Sequence, residues 1–172
     1  MTTSKYLYGP FTGFGIGVGL VTAVVDQASK LWLLFGFNLA DRGPVHLAPF
    51  LDLVLVWNTG ISYGLFPQAG PLGQWALLGV KSVAVLLLWT WLARAGSRFT
   101  ALALGLIIGG AVGNAIDRVA YGAVADFVLF HVTTASWSFR WYVFNLADVG
   151  IVAGVFGLLY DSMRAKDAAK AP

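Results

Sequence analysis

The stretch GGAVGNAIDRVAYGAVADFV, residues 109–128, follows an apolar run and sets Asn114, Asp117, Arg118 and Asp126 close together. Asn114 stands three residues before Asp117 and four before Arg118, so the three side chains share one helical face. Asn145 and Asp148 repeat the i,i+3 spacing further on. All eight acidic residues are Asp, and an ionisable group inside lipid costs at least a few kcal/mol, so Asp26, Asp117, Asp126 and Asp148 each need a reason to be there. Two close carboxyls in a low-dielectric site do not both ionise, and one keeps a proton while the other becomes a base. Such a pair activates water for attack on a peptide carbonyl, with Asn58, Asn114, Arg118 and Asn145 as donors that orient the substrate or hold the carboxyls. The spacing alone leaves three readings open: a catalytic pair, a structural cluster of interhelical polar contacts, or a path for protons or ions in a small membrane transporter.

Other chemistries lack their residues. The chain has no Cys and two His, which removes thiolate nucleophiles, disulfides and Cys metal sites, and leaves a serine triad or multi-His zinc site without support. No metal or cofactor is expected. His46 and His131 read as surface or hydrogen-bonding residues. A net charge of +3 is spread without a basic patch, so nucleic acid is not an expected partner.

The elements that position these residues are membrane helices. A hydrophobic fraction of 58% and 11% charged residues, with a mean hydropathy of +0.76, describe a chain that lives in a bilayer. Four windows near 14–36, 72–93, 101–121 and 142–163 predict an all-α integral membrane protein of four transmembrane helices in a single domain over 1–163, with a disordered cytoplasmic tail beyond. Lys5, Arg94, Arg98, Arg164, Lys166 and Lys170 flank the spans so that both termini and the 94–100 loop lie inside. A cleaved signal over residues 1–30 is the competing reading, weakened by its thin basic region and by Asp26 and Lys30. The segments 37–71 and 122–141 then face outward. Within them LDLVLVW, between Pro49 and Asn58-Thr59-Gly60, reads as a strand and turn of a small extracytoplasmic β-sheet, and VADFVLF as an extended segment with Asp126 opposite Phe127 and Leu129. Asp148 falls just inside the outer end of the last span, level with Asp126.

Asp26 and Lys30, at i,i+4, are placed to pair. Lys81 reads as snorkelling or internally paired, with Trp89 and Trp91 as anchors near the inner end of its span. Gly105, Gly109 and Gly113 make a small-xxx-small stripe, and Gly150, Gly154 and Gly157 offer similar close packing.

The ordered blocks VVDQASK (24–30), NTGISYG (58–64), GGAVGNAIDRVAYGAVADF (109–127) and FNLADVGIVAG (144–154) resemble the lipoprotein signal peptidase family, signal peptidase II, over about residues 20–160. The resemblance implies a multi-pass aspartyl endopeptidase of the bacterial cytoplasmic (inner) membrane, working near its outer face. It would cut diacylglyceryl-modified prolipoproteins just before the lipidated cysteine. By the same resemblance Asp126 and Asp148 are the catalytic pair, and Asn58, Asn114, Arg118 and Asn145 support it. Asp26 and Lys30 are a structural pair, as is Asp117 in role. Membrane lipid and the family's cyclic peptide antibiotics are the other implied partners. Ser62-Tyr63 and Ala125 depart from the family's usual Ala-Phe and Val. A lid over 37–71, with Trp57, Tyr63 and Phe66, would close over bound peptide.

Overall fold

The computed structural model describes residues 7–60 and 71–168. Helix α1, Thr12–Leu31, buries Gly15, Gly19, Ala23, Asp26 and Lys30 at helical spacing, while Leu20, Val21, Val24 and Val25 are exposed on the other face. A π-helical turn, Trp32–Gly36, ends it. A short helix α2 (Leu39–Arg42) leads to strands β1 (Val45–Ala48) and β2 (Leu51–Asn58). Helix α3 (Pro71–Leu92) and helix α4 (Arg98–Tyr121) follow, then β3 (Val124–Thr133), β4 (Ser138–Arg140) and α5 (Leu146–Ala168).

Among the described residues, three helices are long and apolar enough to cross a membrane, Thr12–Gly36, Arg98–Tyr121 and Leu146–Arg164, and α3 contributes the shorter apolar stretch Leu78–Leu92. Helix α4 starts at Arg98, ahead of the predicted 101, because the Ser97 side chain caps it by accepting from the Thr100 amide. Gly122, at φ 73°, ends it in the left-handed conformation that lets β3 turn straight back over the helix.

The chain is mostly helical with a small antiparallel sheet, as expected, and the strands run in the order β1-β2-β3-β4. The strand read from LDLVLVW is β2, paired with β3 in the register Val56↔Asp126, Trp57↔Ala125, Asn58↔Val124. Leu33, Leu39 and Phe127 form a buried cluster beneath this sheet, and Leu92, Ala95, Ala101 and Leu104 another where α3 meets α4. The last helix begins at Leu146 and not at 142, because Phe144 exchanges backbone hydrogen bonds of 2.8 and 3.0 Å with Val128. It also runs to Ala168 through good helix formers, where a disordered tail from 164 was expected. Ser62, Tyr63 and Phe66, and with them part of the expected lid, lie outside the described residues.

The glycine stripe of α4 packs on α1. A methyl group on Gly109 would run into the Gly19 backbone, one on Gly105 into the Gly15 carbonyl, and one on Gly113 into the Asp26 carboxylate. On the α5 side Gly154 meets the Ala103 carbonyl in the same way. Because the obstacle at Gly109 is backbone and not a movable side chain, Gly109→Val forces the two helices apart. It is expected to destabilise the fold by about 1–3 kcal/mol, read as a lower melting temperature in detergent, while Val at Gly79, which has open space around it, leaves the melt near wild type.

Candidate active site

A buried ammonium anchors the polar interior. Lys30 Nζ lies 2.7 Å from Asp26 Oδ2 and 2.8 Å from Asp117 Oδ2, and donates to Asn114 Oδ1 at 3.0 Å. The i,i+4 spacing of Asp26 and Lys30 thus gives an ion pair, and α4 adds the second carboxylate and the amide. The remaining oxygens are used as well. Asp26 Oδ1 accepts from the Ala147 amide at 2.9 Å, and Asp117 accepts from Gln27 at 2.7 Å and from the Ala125 amide at 3.1 Å. Asp117 therefore ties α1, the end of α4 and the start of β3 together. Gln27, whose Nε2 also reaches the Gly113 carbonyl at 3.0 Å, is a member that the sequence reading passed over, although it stands beside Asp26 and three residues before Lys30.

The network continues outward from Asn114. Its Nδ2 donates to Asp148 Oδ1 at 2.9 Å. Asn145 Nδ2 donates to Asn114 Oδ1 at 3.0 Å and to Asp126 Oδ1 at 2.6 Å, so its side-chain amide ties α4 and β3 to the start of α5. Asn145 also caps α5: its Oδ1 accepts from the Asp148 amide at 3.0 Å, and Asp148 Oδ2 accepts from the Asn145 amide at 3.3 Å. This is the reciprocal arrangement of a capping box, with Asp in place of Glu. The second oxygen of Asp126 accepts from Asn58 Nδ2 at 3.1 Å. That bond follows from the sheet register, since Asn58 sits opposite Val124 and reaches diagonally to the residue two positions on. Arg118 Nη2 donates to the Gly60 carbonyl, which holds the chain where it leaves β2.

Asp126 and Asp148 line one cleft of about 550 Å³, with Asn58 at its polar end and Val149, Val152 and Trp141 on its apolar wall. A second cleft of about 630 Å³ opens on the sheet side and shares Asn58, Asp126 and Trp141. Asp126 is 3% exposed. Burial, reinforced by the negative charge of Asp148, pushes its carboxyl up to about 6, within range of a group that holds a proton near neutrality. Together the two carboxyls and four nearby donors can bind a polar linkage, deliver one proton and accept another.

Both histidines lie against Asp52 on β2, and His46 shares a hydrogen bond with it. His46 Nδ1 lies 2.7 Å from Oδ1 and His131 Nε2 lies 3.1 Å from Oδ2. The contacts, that of His46 first, hold the Asp52 carboxyl below the usual carboxylate range. The trio joins three strands of the sheet away from the cleft. Among the described residues no His, Asp or Glu cluster is arranged to hold a metal ion.

A family model described as signal peptidase (SPase) II matches residues 18–164. A lipoprotein signal peptidase of Nitrobacter hamburgensis is 60% identical over 158 residues, 92% of this chain and 96% of that one. A lipoprotein signal peptidase of Rhodopseudomonas palustris (strain TIE-1) is 56% identical over 161 residues, 91% of this chain and 98% of the relative. A solved bacterial membrane enzyme shares the fold with a TM-score of 0.78 at 22% identity, over 96% of each chain. The transport reading gains no support from these relatives.

Removing one member of a buried ion cluster strands the others. Lys30→Met is expected to cost about 3–5 kcal/mol, and Lys30→Met with Asp117→Asn to recover part of it, as read by thermal melts. The pH dependence has a definite sign. With a folded value of about 6 against 3.8 for the ordinary carboxyl, the stability that Asp126 contributes is full below pH 4 and is lost as pH rises through 6, roughly 3 kcal/mol in all. Wild type should therefore lose melting temperature relative to Asp126→Asn between pH 4 and 7. A constant difference across that range would contradict the raised value.

Proposed function

The chain belongs to the signal peptidase II family, and from that premise we propose that it is an intramembrane aspartyl endopeptidase. It removes signal peptides from diacylglyceryl-modified prolipoproteins by cutting before the lipidated cysteine. The observation that carries the reading is the linkage of Asp126 and Asp148 through one residue, Asn145, whose side-chain amide donates to Asp126 and whose backbone amide donates to Asp148, at a cleft with one polar end and one apolar wall.

The chemistry follows from the two environments. Asp126, deeply buried, holds the shared proton; Asp148, on the open side of the cleft, takes a proton from water as its oxygen attacks the scissile carbonyl carbon. Asp126 gives its proton to the carbonyl oxygen, forming a neutral gem-diol. As the C–N bond breaks, Asp148 returns its proton to the departing nitrogen and Asp126 takes one back from a gem-diol hydroxyl, which restores the starting state. Asn58 and Asn145 hold the Asp126 carboxyl in register, and Asn114 does the same for Asp148. The apolar wall on α5 suits a signal-peptide helix and acyl chains arriving from the bilayer, and the sheet-side cleft suits the extended segment around the cut.

The same reading takes α3 as a fourth span, so that the helices form a single four-span domain with both termini cytoplasmic and the cleft near the outer face of the inner membrane. The distribution of Lys and Arg supports that orientation.

The test is cleavage of a diacylglyceryl-modified prolipoprotein followed by gel shift, for wild type, Asp126→Asn and Asp148→Asn, each checked by thermal melt. Asparagine keeps the shape but cannot accept the proton from water. Both variants are expected to stay folded and lose several orders of magnitude in rate. Normal cutting by both would overturn the site assignment, and a wild type that never cuts would overturn the activity.

A further inference from the structure

Lys81 is the sole charged residue of α3. Counted along the helix it lies ten residues from Pro71 and eleven from Leu92, about 15 Å from either end, which is too far for a four-carbon stem to bring its ammonium to an interface. Snorkelling does not account for it. Among the described residues it has no hydrogen bond or ion-pair contact either, so the expected internal partner is not found.

Its position is set by packing. Leu78, Lys81, Val85, Leu88 and Leu92 are the half-buried to buried residues of one α3 stripe, while Val80, Val83, Leu86 and Leu87 are exposed. The inner end of the stripe packs on α4, where Leu92 and Leu88 meet Ala101 and Leu104. The two helices form an antiparallel hairpin. Going outward eleven residues from Leu92 reaches Lys81, and the same distance from Ala101 and Leu104 reaches positions 112 and 115 on α4, which bracket Asn114. Lys81 is thus level with the amide that holds Asp148, and its charge interacts with Arg118, Asp148, Asp126 and Lys30.

The polar interior contains Asp26 and Lys30 from α1, Asp117 and Arg118 from α4, Asp126 from β3 and Asp148 from α5. With one proton on the Asp126/Asp148 pair, three negative charges face the two cations Lys30 and Arg118. Lys81 supplies the third, and the working protonation state is the neutral one in a medium where net charge is costly. We infer that Lys81 is a positioning residue for the reaction, a cation that acts across the site through its field to hold the Asp126/Asp148 pair in its singly protonated form near neutral pH.

The inference rests on the aspartyl reading above, and the experiment separates the two. In the full-length protein, kcat and KM for prolipoprotein cleavage are measured against pH for wild type, Lys81→Met, Lys81→Gln and Lys81→Arg, with Asp148→Asn as control and a thermal melt for each. Losing a cation raises both apparent pKa values of a carboxyl pair, so Met and Gln should move both limbs of the kcat profile to higher pH by on the order of one unit. KM should stay within about twofold, and Arg should restore the wild-type profile. Met removes a charge from an apolar helix and so favours the inserted fold; Gln serves as the second neutral variant. Unshifted limbs, or a uniform loss of kcat at every pH, would overturn the role of Lys81 while leaving the pair intact. A fully active Asp148→Asn would overturn the aspartyl reading itself.

Discussion

An ammonium with no access to water must be matched by oxygens, and the structure is organised around how Lys30 meets that demand. Its ligands come from its own helix and from α4, so the two helices have one acceptable rotation and one acceptable depth. The carboxylates that neutralise it then have oxygens left over, and an unsatisfied carboxylate oxygen in this interior is itself costly. Asp26 uses its spare oxygen on the first turn of α5, and Asp117 uses its own on Gln27 and the start of β3. One cation thereby fixes the relation of three helices and the strand that carries Asp126.

That arrangement depends on close approach. Oxygens on α1 reach α4 and α5 because glycines remove the side chains that would hold the backbones apart, above all where Gly113 faces the Asp26 carboxylate. Small residues and buried charge act together here. The glycines bring the helices within hydrogen-bond range, and the charges give that proximity one register, which van der Waals packing between smooth surfaces would leave loosely set. The sheet performs the corresponding task at its own end of the helices, where backbone pairing between β2 and β3 delivers Asn58 to Asp126.

What was legible in the sequence is what depends on short spacing. Asp26 and Lys30 four apart, Asn145 and Asp148 three apart, the glycines every fourth residue and the alternation in VADFVLF all describe local geometry that a helix or strand imposes. The pairing of Asp26 with Ala147, of Gln27 with Asp117, or of two histidines with Asp52 depends on which elements lie side by side, and no local period encodes it. The start of α5 was misread for a related reason. Residues 142–145 are apolar enough to extend the helix, but Phe144 is claimed by the backbone of β3, a competitor distant in sequence. Lys81 shows the converse: its residue type was visible at once, and its meaning emerged only with the level of α3 against α4.

The hydrogen bonds of the polar network also differ in how far along the chain they reach. Those joining Asn114, Asp126, Asn145 and Asp148 span 3 to 34 residues, whereas Lys30 reaches Asn114 across 84 and Asn58 reaches Asp126 across 68. The α4–β3–α5 segment thus contains its half of the constellation as a set of short-range contacts, of the kind that cost least chain entropy to close. The longer loops add only about 1 kcal/mol of closure entropy over the shorter ones, so bringing α1 and β2 to this half costs little in chain entropy. It is nonetheless the step that brings in the ammonium, and a carboxyl-terminal hairpin awaiting α1 would hold Asp117 and Asn114 without their cation.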